Sequence, residues 1–392
     1  MGSHKIKGSI ESENQKFNLR IAEETDMDSL KDLYFQVYGG KYTLPEVVDP
    51  DKMKWAINDP NFVWLVTETD KKLVGSVLFV MEKKHKLGKS LAGVVLPEFR
   101  GHKLMRHALK TGLDYILYEK DYVDVVYGVV RTFVTGGFHK DLKELGFVDI
   151  GIFPNVRKVS KYETHGLKAL FKPEALQKRN IPPTLIPQAN EIYEIVRERL
   201  ELEKAQVVDY TYNTPAKFTE YKFETGKSPD IEWKYYKERD KNKLQMSFYP
   251  FHYPEILLHT PDKTTRAYIH FEERDGHGDL MGLYTENPGD LTSILNSIAE
   301  EAEDMGIKYL ELLVSAYDYE TQKKAYEADF IPCAYFPAVE MEEDKRLDFV
   351  AMCRNFVPLN FKEMKLTDDT RAYIRSYFKL CTLKLWEDLK HA

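Results

Sequence analysis

Val94-Val-Leu-Pro-Glu-Phe-Arg-Gly-His-Lys-Leu-Met-Arg-His-Ala-Leu109 is the stretch whose reading decides the fold. It opens on a β-branched apolar run, breaks at Pro97, passes through one Arg-Gly step and continues with helical apolar spacing at Leu104, Met105, Ala108 and Leu109. The pattern predicts strand, tight turn, helix. A helix entered this way aims unpaired backbone N–H groups, and the positive end of its dipole, at whatever stands before the turn. Arg100, His102, Lys103 and Arg106 crowd that turn with charged or protonatable side chains, which points to a phosphate-bearing ligand.

Outward from the turn, apolar runs predict strands over 62–67, 73–81 and 87–96, the first two joined by Thr69-Asp70-Lys71-Lys72 as an antiparallel pair. Upstream, a strand is expected over 17–22, and Thr25 or Asp26 caps a helix whose apolar face is Leu30, Leu33, Tyr34 and Val37. That helix ends near Gly39-Gly40, and a loop through Pro45 and Pro50 leads to a short helical piece over 53–57. Downstream, the turn's own helix runs to about Lys120, and the valine-rich 123–130 reads as a strand buried on both faces. A helix over 138–145 and strands over 147–153 and 166–171 complete the order β-α-β-β-β-α-β-α-β-β, an α/β fold on a mixed sheet.

The pattern lapses at Lys172 among Pro173, Pro182, Pro183 and Pro187, and a helix over 188–202 follows. Beyond it, Gly146-Phe-Val-Asp-Ile-Gly-Ile-Phe-Pro154 aligns with Asp329-Phe-Ile-Pro-Cys-Ala-Tyr-Phe-Pro337 at an offset of 183, that is 329 minus 146. The same offset lays 125–130 on 308–313 and Leu167 on Val350. The second half reads as a divergent copy of the first. At this offset Arg100-Gly101 falls on Leu283-Tyr284 and Lys103 on Glu286, so the copy turns acidic where the first half is basic. A tail helix is expected over 368–389. The expected division is a tag or disordered start over 1–16, a domain over 17–172, a linker with a helix over 173–204 and the copy over 205–392.

The 392 residues suit two domains, and 43% hydrophobic with 30% charged residues is a soluble globular composition. A net charge of −7 argues against a general nucleic-acid binder. No apolar stretch approaches the roughly 20 residues that cross a bilayer, and the N-terminus lacks the apolar core of a signal peptide, so the expectation is cytoplasm and no membrane. Cys333, Cys353 and Cys381 lack both metal-ligand spacing and disulfide density, and read as small apolar residues. His252, His259, His270 and His277 show no metal spacing either and read as structural or exposed, so no metal is expected.

With these elements in place, the first unit resembles the GNAT superfamily of acyl-CoA-dependent N-acetyltransferases. Val95-Leu-Pro-Glu-Phe-Arg-Gly101 and its helix resemble that family's pyrophosphate loop, Arg/Gln-x-x-Gly-x-Gly/Ala, with Lys103 and Met105 where glycines are usual. Lys143-Glu-Leu-Gly-Phe147 resembles the ending of the family's helix before its later strand. The resemblance implies acetyl-CoA or coenzyme A as cofactor. It places the pyrophosphate on Arg100, Gly101, His102, Lys103, Leu104, Met105 and Arg106, and the pantetheine arm and thioester carbonyl on the backbone of Val94, Val95 and Leu96. The implied acceptor is a small-molecule or peptide amine that attacks directly, with no nucleic acid involved and a homodimer left open. The family's proton-donating tyrosine falls on Leu142, which leaves Glu82, Glu98, Tyr127 and His139 as acid or base candidates.

Ordinary roles compete for each of these residues. Arg100, Lys103 and Arg106 also suit a solvated helix start, Glu98 suits the positive end of a helix dipole, Tyr127 suits a core strand, and His139 suits an exposed helix start. Tyr249, Tyr253, Tyr268 and Tyr284 suit packing or an aromatic acceptor pocket. A catalytically silent module that binds a CoA thioester or a protein partner is therefore the alternative function. A tRNA-dependent transfer, known among tandem relatives, is disfavoured by the net charge.

Overall fold

By its internal contacts the chain divides into two units, and the computed structural model describes residues 6–13, 15–132, 136–158, 161–210, 218–361, 364 and 367–391. Unit 1 comprises Met1–Val129, Thr135–Phe147 and Ala169–Ala175; unit 2 comprises Val130–Val134, Val148–Lys168 and Leu176–Ala392. No helix among the described residues is long and apolar enough to cross a membrane.

Unit 1 opens with a hairpin, β1 (Lys7–Ser12) against β2 (Gln15–Ile21). This corrects the expectation of a featureless start over 1–16. Ile10 faces Phe17 across the hairpin, and Ile6 is buried, which is reason enough for the segment to order. α1 (Met27–Tyr38), α2 (Pro45–Val48) and α3 (Pro50–Asn58) follow. α1 buries Leu30, Leu33 and Tyr34 at helical spacing and stops where Gly39 takes φ +59°. The strands β3 (Phe62–Thr69), β4 (Lys72–Glu82) and β5 (Leu87–Val95) form an antiparallel meander.

α4 (Leu104–Leu113) continues as a π-helical turn over Asp114–Glu119, β6 (Val125–Arg131) runs parallel to β5, and α5 (Gly136–Glu144) closes the unit. The strand order is β1-β2-β3-β4-β5-β6. Phe17, Leu30, Tyr34, Trp64, Leu78 and Leu104 share one core. α4 lies so close to β4 that a Cβ on Gly112 would stand 2.2 Å from Phe79 Cε2.

Unit 2 takes β7 (Val148–Lys158) and most of β8 (Tyr162–Phe171); α6 (Pro173–Gln177) lies largely in unit 1, and β9 (Thr184–Leu185), α7 (Pro187–Leu200) and β10 (Gln206–Val207) continue unit 2. Then follow β11 (Glu224–Gly226), α8 (Ile231–Arg239), β12 (Ile256–His259), β13 (Thr265–Glu272) and β14 (His277–Thr285). The chain ends with α9 (Leu291–Asp304), β15 (Tyr309–Ser315), α10 (Tyr319–Glu327), β16 (Ile331–Glu342), β17 (Lys345–Asn355) and α11 (Asp368–His391). Its strands are ordered β8-β7-β16-β17-β15-β14-β13-β12-β11.

The offset of 183 recurs in these boundaries. α5 begins at Gly136 and α10 at Tyr319, β7 at Val148 and β16 at Ile331, β8 at Tyr162 and β17 at Lys345. Backbone details follow it too: Asn155 and Ala338 have φ +58° and +55°, and Gly146 and Asp329 have φ +91° and +67°. Within unit 2, β7 and β16 pair antiparallel at Gly151 and Ala334, two residues that the offset itself matches. A Cβ on Gly151 would stand 2.1 Å from that of Ala334, so one of the two must be glycine for the strands to meet.

Candidate functional site

The turn after β5 carries the candidate site. β5 is bulged, because Ser76 pairs with Val94 while Leu78 pairs with Leu91, and Ala92 takes φ +54° within the irregularity. Tyr34 Oη donates to the Ala92 carbonyl at 2.5 Å and lies 3.3 Å from Ser76 Oγ, which accepts from Trp64 Nε1 at 2.7 Å. Burial raises the Tyr34 hydroxyl well above its ordinary range, so it stays a proton-bearing donor that fixes the bulge. Tyr38 and Tyr42 pack beside it, with ring centres 4.6 Å apart and planes tilted by 34°.

Past the bulge, Leu96 N–H donates to Val74 O at 2.9 Å. By the alternation of an antiparallel ladder, Val94 then also faces β4, while Val95 turns its N–H and carbonyl the other way. This takes Leu96 out of the set of open backbone donors and leaves Val95. On the open side, β5 pairs with parallel β6 only from Leu87↔Val125 to Lys89↔Tyr127, although β5 goes on to Val95.

A 3-10 turn, Pro97–Phe99, leads to extended Arg100, then Gly101 at φ +98° and Lys103 at φ +57°. No heavy atom lies within 4 Å of a Cβ built on Gly101. The two left-handed positions explain why glycine suits this loop, and a lysine in that conformation costs about 1 kcal/mol. Lys103 is the N-cap of α4 and supplies no side-chain cap, and the helix's first bond is His107 N to Lys103 O at 3.0 Å. The N–H groups of Leu104, Met105 and Arg106 precede it and have no partner within the helix. Met105 lays its Sδ and Cε 3.4 Å from the Cβ position of Gly93 and so covers the bulged strand.

The four basic side chains divide. Arg100 is exposed and donates from Nε to Val95 O at 3.2 Å, and Lys103 is exposed with no ion pair among the described residues. His102 is held by Ser12 Oγ at 3.0 Å and by the Phe17 ring. Arg106 pairs with Glu144 and lies 3.9 Å from Asp141 Oδ1, both on α5. Two cations therefore face outward, and the other two hold the loop to β1 and α5.

The proton-transfer candidates scatter. Glu98 is exposed and pairs with Lys72 at 3.3 Å, and backbone hydrogen bonding with the nearby ammonium keeps its carboxyl below the usual range. Tyr127 is a buried β6 residue with Lys89 Nζ 5.7 Å from its ring. Glu82 lies at the far end of β4, 3.7 Å from His85. His139 is buried at 6% exposure on α5, which corrects its reading as an exposed helix start; it occupies the inner face of that helix with Leu142.

In unit 2 the corresponding turn, 286–290, is shorter and acidic. Tyr221 Oη donates to Asp290 Oδ2 at 2.8 Å, and the N–H groups of Thr219 and Tyr221 donate to Ser293 and Ser297 of α9 at 3.2 and 3.1 Å. The chain itself covers this helix start. Nearby, His252, His270 and His277 converge on Asp279. Their spacing in sequence hides this because the strand register, not the chain, brings them together. His259 stands apart, 3.8 Å from Glu224.

No protein-family model matches the chain, and no curated protein sequence matches it. Among solved structures it is similar to a ribosomal-protein-S5-alanine acetyltransferase from Vibrio fischeri, at 15% identity and a TM-score of 0.36 over 42% of this chain and 97% of that one. It is also similar to a GNAT-family acetyltransferase from Streptococcus pneumoniae, at 16% identity and a TM-score of 0.35 over 40% and 98%. A third is the spermidine N-acetyltransferase from Vibrio cholerae in complex with CoA and spermine, at 20% identity and a TM-score of 0.35 over 40% and 95%.

Proposed function

We propose that this chain is a GNAT-type, acyl-CoA-dependent N-acyltransferase that passes an acetyl group to a small-molecule or peptide amine, with one cofactor site, on the β5–α4 turn of unit 1. The observation that carries this is the pairing of open N–H groups and two outward cations at one helix start with a bulged strand whose Val95 N–H faces off its ladder. These residues fit coenzyme A: the α4 N–H groups, Arg100 and Lys103 suit a diphosphate, and Val95 suits a carbonyl oxygen. When bound, a CoA thioester supplies an electrophilic carbonyl and a thiolate leaving group. The protein's part is to anchor the diphosphate, to align the pantetheine along the open edge of β5, and to donate the Val95 N–H toward developing negative charge.

On the same reading, 17–172 is the acetyltransferase domain, 173–204 a linker and 205–392 a degenerate copy without a cofactor site of its own. Strands β7 and β8 belong to the first copy by sequence and cluster with unit 2 by contact. Cytoplasmic residence completes the proposal. The test is release of free thiol from acetyl-CoA against a panel of amines, run beside calorimetric binding of acetyl-CoA. Binding with amine-dependent thiol release supports the proposal, and absence of binding contradicts it. Leu142, buried where the resemblance places a proton donor, favours a second reading, a silent CoA-thioester module, for which binding occurs without thiol release for any amine.

A further inference from the structure

Three neighbouring strands of unit 2 place chemistry in one row. Across the antiparallel β13–β14 pair His270 stands opposite Asp279, and across the parallel β14–β15 pair Asp279 stands opposite Glu311. His277 lies two residues before Asp279 and so shares its face. His252 arrives from the loop before β12 and meets Asp279 Oδ2 through its Nδ1. Sheet register therefore sets this cluster, and its geometry does not depend on a mobile loop alone.

The charges in the row suit a cation. Asp279 has no solvent exposure and Glu311 is 3% exposed, yet the charged groups that meet Asp279 are imidazoles, with neither lysine nor arginine among them. Two adjacent buried carboxylates are costly without positive charge between them. Asp279 Oδ1 and His277 Nε2 lie 2.9 Å apart, both buried, and neither has a hydrogen-bond partner beyond this contact. Two sets of donor atoms, one from His252, His270 and Asp279 and one from His277, Asp279 and Glu311, each lie within 4.8 Å of one another. Tetrahedral nitrogen and oxygen ligands stand roughly 3.3 Å apart, so side-chain shifts of up to about 1.5 Å bring each set to that spacing.

The surroundings resemble the outer shell of a metal centre. His270 Nδ1 stands 3.1 Å from both the Tyr253 carbonyl and Glu255 Oε2, an arrangement that fixes the proton on Nδ1 and leaves Nε2 with its lone pair. Both oxygens of Glu311 accept tyrosine hydroxyls, from Tyr249 and Tyr309, each at 2.6 Å. The side chains of His252 and His270 are about one-fifth exposed, 19% and 21%, and give an ion a way in.

We infer that unit 2 holds one divalent transition-metal ion of the zinc class on the Asp279 carboxylate, ligated by the imidazoles of His252 and His270, with His277 at the carboxylate's other oxygen and Glu311 beside it as outer groups. Imidazole and carboxylate donors without thiolate select zinc, cobalt or nickel over calcium and magnesium. The centre is independent of the acyltransferase assignment.

The experiment uses the full chain, stripped with a chelator and titrated with Co²⁺ alone, read by visible absorption and by metal analysis after dialysis. The expected result is one Co²⁺ per chain with d–d bands, displaced by Zn²⁺ and spared by Ca²⁺ and Mg²⁺. Asp279→Asn and His270→Gln lose the bands, His259→Gln keeps them, and Glu311→Gln weakens Zn²⁺ binding roughly tenfold or more. His252→Gln, at a partly exposed loop position, gives the same loss where Asp279→Asn fails to fold, with circular dichroism as the check. Absence of stoichiometric binding, or binding that survives both His252→Gln and His270→Gln, overturns the inference.

Discussion

The strand–turn–helix after β5 and the one after β14 are built alike and charged oppositely. In each, a strand pairs in parallel with its neighbour over a few residues at its start and then runs on into a 3-10 turn and a helix. After β5 the turn is longer, takes left-handed backbone at Gly101 and Lys103, and presents Arg100 and Lys103 outward. After β14 the turn is short and carries Glu286 and Asp290, and residues 219–221 bond to the helix face. Architecture is retained while residues 219–221 cover the helix start. The lesson is that a helix start becomes a ligand site through the loop that leaves it open, and the dipole alone does not make one.

The largest expected effect breaks the contrast at its source. Reversing both outward cations, Arg100→Glu with Lys103→Glu, removes two charge-assisted contacts of about 1.5–3 kcal/mol each and weakens acetyl-CoA binding on the order of a thousandfold by calorimetry. The fold is expected to stay intact by circular dichroism, since both side chains are exposed.

Next comes the way unit 2 commits its charges to buried pairs. Burial pushes the Glu163 carboxyl up, but hydrogen bonds from His165 and Arg131 outweigh it and bring it down to about 2. A folded value below the unfolded one means that the pair's stabilisation is whole above roughly pH 4.5 and is lost as pH falls toward 2. Up to about 3 kcal/mol disappears over that window, and Glu163→Gln flattens that part of the pH profile in denaturant melts.

A smaller effect concerns the bulge. Tyr34→Phe leaves the Ala92 carbonyl without its hydroxyl donor and costs about 1–2 kcal/mol of stability, with a raised KM for acetyl-CoA as β5 loosens. The smallest separates backbone from charge at one residue. Lys103→Gly relieves the left-handed strain and stabilises the protein by roughly 1 kcal/mol or less, while weakening cofactor binding through the lost ammonium.

Much of this was legible in the sequence. The meander, the turn at Pro97 and the helix from Leu104 follow from apolar periodicity, and the 183 offset recurs in the boundaries of α5, β7 and β8 and their partners. Three features were not legible. β1 was hidden because a short polar hairpin strand lacks a long apolar run, and only its pairing of Ile10 with Phe17 reveals it. The commitment of Arg106 and His102 to Glu144 and Ser12 depends on tertiary neighbours that sequence proximity does not show. The histidine row depends on strand register, which places His270, Asp279 and Glu311 side by side although the chain separates them widely.

The central claim is that the chain has one cofactor site and that it lies on the β5–α4 turn. Calorimetric titration of the full chain with acetyl-CoA, repeated on Arg100→Glu and on Asp290→Asn, tests it most directly. The expected result is one molecule bound per chain, at least tenfold weaker in Arg100→Glu and unchanged in Asp290→Asn. Two molecules per chain, or binding that is untouched by Arg100→Glu, would contradict it.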